Sequence, residues 1–237
     1  MLPLLMAIFL GLALYLALSL GAAAIVKNRL RHRLRHDARG RLALTYDDGP
    51  GPKLAEPLLK LLHEHNAKAS FFFVGFRAQR FPETADAIAA AGHEIGNHSQ
   101  WHRHAWRTLT TPWLAVRDLH QGRLTTSRWA AALRTPSLYR PPFGKLTLWT
   151  FLAARGRGDR LCFWTADGAD TAATLPDPDA IAQRIVASGG GVVLLHSHDR
   201  GEQRQRYVLA VTEGLLRLAS ERGLQVCTMS QVLDTRV

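Results

Sequence analysis

The sequence predicts an α/β domain behind an apolar N-terminal helix, and three observations carry the prediction. From Leu42 onward, short apolar runs alternate with amphipathic stretches of helical period, and turn signals stand at nearly every junction. The 237 residues, 47% of them hydrophobic, suffice for one domain with a sizeable core. The two cysteines, Cys162 and Cys227, exclude a disulfide-built mini-protein or a zinc–thiolate scaffold, and as thiols in or beside apolar runs they are expected to be buried and inert.

The N-terminal element comes first. Leu2 to Val26 contains no charged residue. As a helix it would be about 37 Å long, enough to cross a hydrocarbon layer of roughly 30 Å. A signal peptide ordinarily carries basic residues before a shorter apolar core, whereas only Met1 and the amino terminus precede this run. Gly21-Ala22-Ala23-Ala24 offers a cleavage site. The expected arrangement is nevertheless a retained single-pass transmembrane anchor over residues 1–26, placing the protein at the cell membrane.

Residues 27–41 form a basic juxtamembrane linker: Lys27, Arg29, Arg31, Arg33, Arg35, Arg39 and Arg41 face a single acid, Asp37. More than half of the chain's net charge of +11 therefore sits here. Such a segment suits anionic headgroups and, by the positive-inside tendency, favours a cytoplasmic position for the domain after the span. No nucleic acid partner is expected, because no aromatic interleaving accompanies the charges.

The third segment, residues 42–237, holds the alternating strands and helices of the domain proper. Candidate strands are Leu42–Tyr46, Ala69–Val74, Glu94–Gly96, Leu138–Arg140, Arg160–Thr165, Val192–Leu195 and Leu224–Cys227. Candidate helices are Lys53–His65, Pro82–Ala91, Pro112–Gln121, Leu146–Ala154, Pro178–Ser188 and Gln203–Glu221, several opening on a proline suited to a first helical turn. Periodicity alone does not choose between a closed barrel and an open sheet.

Chemistry-bearing residues gather where these strands end. Leu42–Tyr46 runs into Asp47-Asp48-Gly49-Pro50, so two adjacent carboxylates stand at a strand tip. Neighbours on a strand point to opposite faces, so the chain must bend there before both acids can converge on one ion or substrate. His98 and His102 are spaced to share one face if their loop enters a helical turn. Two imidazoles and a carboxylate would suit Zn²⁺ first and Co²⁺ second, with an open position for water. His93 and His104 are expected to be structural or surface residues.

Arg140-Pro141-Pro142-Phe143-Gly144 ends another strand in a rigid turn that aims Arg140 in a set direction, with Phe143 a candidate core residue. Asp167 and Asp170 come after Trp164, and the apolar run Val192–Leu195 delivers His196, with His198 and Asp199 close behind. Trp101, Trp106 and Trp113 are candidates for stacking on sugar faces or for packing.

In order, Thr-Tyr-Asp-Asp-Gly-Pro, His-Ser-x-x-His, Arg-Pro-Pro-Phe-Gly, Asp-x-x-Asp and Leu-Leu-His resemble the motifs of the polysaccharide deacetylase family, the NodB-homology domains of carbohydrate esterase family 4. The resemblance spans residues 42 to about 235. It implies a distorted, incomplete (β/α) barrel and metal-dependent hydrolysis of N-acetyl, sometimes O-acetyl, groups on an acetylated glycan such as peptidoglycan, a chitin-like chain or an exopolysaccharide.

Carried over by position, Asp47 matches the family's catalytic base, Asp48 its metal carboxylate, and His98 and His102 its histidine ligands. Arg140 matches the arginine that holds and tunes the base, and the backbone near Phe143 the oxyanion donor. His196 matches the general acid, and Asp170 its orienting carboxylate.

Three departures stand out. Thr171 succeeds Asp170 where the family has tryptophan, which leaves Asp167 as a rival. His198 is a second candidate acid, and Phe143 replaces a common tyrosine. The family's usual location outside the membrane conflicts with the basic segment; an extracytoplasmic domain is the expectation adopted. A glycan-binding protein that has lost turnover and a deacylase of a lipid-linked saccharide are the alternatives.

Overall fold

The computed structural model describes residues 2–104, 111–132 and 137–234. The element order among them is α1 (Leu2–Asp37), β1 (Arg41–Gly49), α2 (Pro52–Glu64), β2 (Ser70–Phe73), α3 (Gly75–Arg80), α4 (Pro82–Ala90), β3 (Glu94–Asn97) and α5 (Pro112–Ala132). Next come β4 (Leu138–Tyr139), a 3₁₀ turn (Pro142–Gly144), α6 (Leu148–Gly156), β5 (Arg160–Leu161), β6 (Ala166–Asp167), α7 (Pro178–Ala187), β7 (Gly190–His196), α8 (Glu202–Glu221), β8 (Gln225–Cys227) and α9 (Met229–Leu233).

All strand pairs are parallel, in the order β5-β4-β3-β2-β1-β7-β6, with β8 added at the start of β1. β5 and β6 end the path without pairing, so the curled sheet is a barrel left open on one side, as the family resemblance implied. β1 to β4 and the middle of β7 are buried on both faces, which explains their apolar runs, whereas β5, β6 and β8 are partly exposed. Along β1, Leu42, Leu44 and Tyr46 pack outward with Phe71, Phe73 and Leu195 under the flanking helices. Ala43 joins Phe72, Val192, Phe163 and Met229 inside the barrel. Phe71, Phe72 and Phe73 are at most 1% exposed, each contributing about 1.5–3 kcal/mol of burial.

Most expected elements are present with ends shifted by one or two residues; the bounds of one helix and one strand are corrected, and the structure adds two short helices and the continuity of α1. The helix beginning at Pro112 runs to Ala132 rather than Gln121. Its Gly122, Thr126 and Ser127 look like helix breakers, but the Thr126 and Ser127 hydroxyls turn back onto the carbonyls of Gly122 and Leu124.

The expected strand Arg160–Thr165 survives only as Arg160–Leu161, and the chain pairs again at Ala166–Asp167 against β7. Two short helices, Gly75–Arg80 and Met229–Leu233, carry too few turns for a periodic signal. Finally, α1 passes without a break from the apolar run through the basic segment to Asp37, ending where Gly40 takes φ 73° and donates to Gly189 O. The basic segment is not a loose connector: Leu34 and Ala38 are buried in the interior cluster, and Val26 and Leu30 pack on it.

Candidate metal centre

The carboxyl end of β1 solves the problem of two adjacent acids by breaking strand geometry. Asp48 has φ 62°, and the pairing with β2 slips between Tyr46 and Gly49. A left-handed residue at this point swings the Asp48 carboxylate to the same side as Asp47. Gly49 and Gly51 then lie against the chain after β7: a Cβ on Gly49 would meet Ser197 Oγ at 2.2 Å, and one on Gly51 would meet Ser197 O at 2.6 Å.

Asp47 faces the barrel interior, where Arg140 Nη1 donates to its Oδ1 at 2.8 Å. Arg140 is 0% exposed and also donates to Thr45 Oγ1 and Phe163 O. Its guanidinium lies 4.0 Å from the centre of the Phe72 ring. The Asp47 carboxylate is thereby fixed in orientation, with Oδ2 lying 3.8 Å from His98 Nε2.

The two histidines arrive on a loop rather than on a helical turn, so helical spacing is not what brings them together. Ser99 and His102 have φ 67° and 52°, and neither lies in a helix. Asn97, Ser99 and α5 shape the loop. Asn97 Oδ1 accepts from Ser99 N, its Nδ2 donates to Leu119 O, and Asp118 accepts from Trp101 N through Oδ1 and from Gln100 N through its carbonyl. Gly122 lets α5 approach this closely, since a Cβ there would meet Asn97 Oδ1 at 2.4 Å.

His98 Nδ1 lies 2.7 Å from Arg140 O. Donation to that carbonyl leaves the lone pair on Nε2, the tautomer a metal ligand needs. Nε2 of His98 and of His102 then lie 3.3 and 3.0 Å from Asp48 Oδ1. Among the described residues, Asp48, His98 and His102 offer donor atoms that all lie within 4.8 Å of one another. No donor among the described residues reaches the buried Asp48 Oδ1 in hydrogen-bond geometry. Three electron-pair donors turned on one point, with a carboxylate oxygen otherwise orphaned, fit a divalent cation of the Zn²⁺ kind. Burial alone would raise the Asp48 pKa, but the adjacent His102 and His98 outweigh it and hold the carboxyl well below the usual range.

His196 is Asp47's neighbour across the β1–β7 ladder. Its Nδ1 lies 3.0 and 3.1 Å from the two Asp170 oxygens, and its backbone N–H donates to Asp170 Oδ2. Burial would lower the His196 pKa; the hydrogen bond and charge of Asp170, with Asp47 and Asp48 behind, carry it up to about 9. Asp167 is exposed and its carboxylate accepts from Ala169 N, so Asp170 is the acid beside His196.

His198 stands apart from that pair, with Nδ1 3.6 Å from Asp48 Oδ2 and its ring edge-on to His196 at 6.1 Å. Burial lowers its pKa to about 4, with Asp48 opposing.

Phe143 is not a core residue: it is 50% exposed, at φ 55°, and its ring packs on His102 and His104 at 4.5 and 4.7 Å between centres. Trp101 and Trp113 are exposed, Trp101 stacking on Phe76; Trp106 lies outside the described residues. His93 is buried and accepts from Ala69 N, a structural part. Both cysteines are free and buried. Sequence reasoning missed Thr45, Asn97, Asp118 and Arg204, whose guanidinium holds the Asp170 and Ala172 carbonyls. Only Asn97 left a local signal, an Asx residue two positions before the amide it accepts.

A parallel, incomplete barrel whose carboxyl end gathers two carboxylates, two imidazoles and a buried arginine is a hydrolase-type α/β domain with a donor set for one divalent ion. The family model described as Polysaccharide deacetylase matches residues 35–158, and the chain belongs to that family. It is 33% identical over 196 residues to a peptidoglycan-N-acetylglucosamine deacetylase of Bacillus cereus, covering 81% of this chain and 87% of that one. A chitooligosaccharide deacetylase of a Bradyrhizobium species is 31% identical over 167 residues, covering 68% and 73%. A solved peptidoglycan N-acetylglucosamine deacetylase with a bound N-hydroxybenzamide superposes with a TM-score of 0.72 at 25% identity, covering 82% of this chain and 88% of that one.

Proposed function

We propose that this chain removes N-acetyl groups from an N-acetylglucosamine-containing glycan, releasing acetate, with Asp48, His98 and His102 holding one divalent ion. The observation that carries the reading is the convergence of Asp47, Asp48, His98, His102 and His196 at one end of β1 and β7, with Arg140 behind Asp47.

When bound, a Zn²⁺ or Co²⁺ ion supplies Lewis acidity, polarising the acetyl carbonyl and easing deprotonation of water. The chain's own residues do the rest. Asp47, oriented by Arg140, takes the proton from the attacking water through the oxygen that Arg140 leaves exposed to the site. The Phe143 backbone N–H is the donor offered to the developing oxyanion, since the Gly144 and Lys145 amides are taken by the carbonyls of Pro141 and Pro142. His196, kept protonated by Asp170, gives its proton to the sugar nitrogen as the C–N bond breaks, so that water and acetamide become acetate and amine. Exposed Trp101, on the histidine loop, and Trp113, at the start of α5, offer faces for sugar rings.

α1 is read as a single-pass anchor, since its apolar part is long and apolar enough to cross a membrane and is almost wholly unburied. The domain is placed outside the cytoplasm. A reporter active in one compartment, fused after Val237, tests the side; a cytoplasmic signal would remove wall polymer as substrate.

Acetate release from N-acetylglucosamine oligomers by the detergent-solubilised full chain, with added Zn²⁺ or Co²⁺, tests the activity. Metal binding without release from any acylated glycan would leave a glycan-binding protein in its place.

A further inference from the structure

Topology ties α1 to the catalytic end of the sheet. α1 stops at Asp37 and β1 starts at Arg41, so the helix runs back along the barrel against the strand direction. Its His32, Arg35 and Ala38 lie beside Gly189–Gly191, where β7 begins. Lys27, farther back, donates from Nζ to Gly144 O at 2.7 Å, in the turn beyond the end of β4. The helix therefore continues past the end of the sheet that carries Asp47, Asp48 and His196.

The domain accompanies the helix over part of this length. Trp149 Nε1 donates to Tyr15 Oη at 3.1 Å, Ser19 and Ala23 are 1% exposed, and Val26 and Leu30 share a cluster with Phe151 and Leu161. Only Leu2–Leu14 stands clear, exposed at every position. Those residues rise about 20 Å, roughly 10 Å less than the hydrocarbon layer. If α1 spans, the surface flanking Tyr15 to Gly21 must enter the bilayer with it.

That surface is suited to doing so. On α6, Trp149 and Leu152 are 41% and 49% exposed. Behind them, Arg29, Arg33 and Arg155 line a groove of about 660 Å³ with Val26, Leu30 and Phe151; its one acid, Asp159, is already paired with Arg123, so the three arginines leave it net basic. An aromatic and an aliphatic tip in front of a basic groove is the arrangement that seats an apolar surface among acyl chains while cations meet anionic headgroups.

We propose that the α1–α6 face docks on an anionic phospholipid bilayer, with Trp149 and Leu152 immersed, so that the carboxyl end of the sheet and its metal centre look toward the membrane surface. This rests on the reading of α1 as a membrane span. An acetylated saccharide carried at that surface is then the nearest substrate.

Because Cys162 and Cys227 are buried, Leu152→Cys in the full chain can be labelled selectively with a polarity-sensitive fluorophore and reconstituted into phosphatidylcholine–phosphatidylglycerol vesicles. Glu213→Cys, exposed on α8, is the water-facing control; both labelled chains should unfold at the parent's temperature. Expected is a blue-shifted probe at 152, quenched several-fold more by nitroxides on the lipid chains than the probe at 213.

Equal quenching at the two positions, in a chain that survives an alkaline wash, would overturn the docking and leave the span. Quenching at 152 in a chain that washes off would keep the docking and remove the span. Loss of both would remove both. A blue shift that lipid nitroxides leave unquenched would place a second copy of the chain on this face, and would also overturn the proposal.

Discussion

Asp170→Asn separates positioning of the His196 proton from mere support of the loop. The asparagine keeps the shape of a side chain that is 2% exposed and can still accept from the His196 backbone N–H, but it removes the charge 3.0 Å from Nδ1. The His196 pKa stands at about 9 against an ordinary 6.5, with burial opposing the rise and the Asp170 hydrogen bond and charge the largest support. A full return to 6.5 would be worth about 3 kcal/mol, and Asp47 and Asp48 supply part of that.

With protonated His196 as the acid, the acid form falls from about nine-tenths to about 3% at pH 8, while at pH 6 it falls only to about three-quarters. The expected result is a loss of turnover of up to about 30-fold at pH 8, reached only on a full return to 6.5, and less than about twofold from this cause at pH 6, read as an alkaline limb of kcat moved down by up to about 2.5 units. A uniform loss across that range, or an unmoved limb, would refute the acid assignment. Stability carries the same sign. The protonated His196–Asp170 pair contributes fully below about pH 6.5, and its contribution is lost as pH rises through about 9. Wild type should therefore lose more stability than Asp170→Asn over that window.

Asp47→Asn should leave Zn²⁺ bound, measured by metal content after gel filtration, while acetate release falls by about 10² to 10⁴; retained turnover would show that the base is misassigned. Gly49→Ala should lower the melting temperature, because its Cβ meets Ser197 Oγ at 2.2 Å but Ser197 Cβ only at 3.4 Å. Adding Ser197→Ala should restore most of the loss, and additive effects of the two changes would contradict the clash. His93 is buried with its pKa lowered to about 4, chiefly by desolvation, so its contribution to stability is present above about pH 6.5 and lost as pH falls through about 4. The urea midpoint of His93→Asn should decline less than that of wild type between those values.

Local pattern made much of this protein legible. The apolar run at Leu2–Val26, the alternation of strands and helices, and the acids and imidazoles at strand ends are properties of neighbouring residues, and so is the order of motifs that marks the family. What local pattern could not carry is convergence. Asp47 and Arg140 lie 93 positions apart, and their pairing exists only because β1 and β4 are laid in one curled sheet. His98 and His102 meet at Asp48 through left-handed residues that Asn97, Asp118 and α5 hold in place, not through helical spacing.

Asp170 stands beside His196, and Asp167 does not, because the chain after β6 folds back over β7 under Arg204. Nor could hydropathy show that α1 runs on as a single helix along the barrel, tying the apolar segment to the catalytic end. Periodicity records which face of an element is buried; the partner it is buried against is decided by the three-dimensional packing of segments distant in the chain.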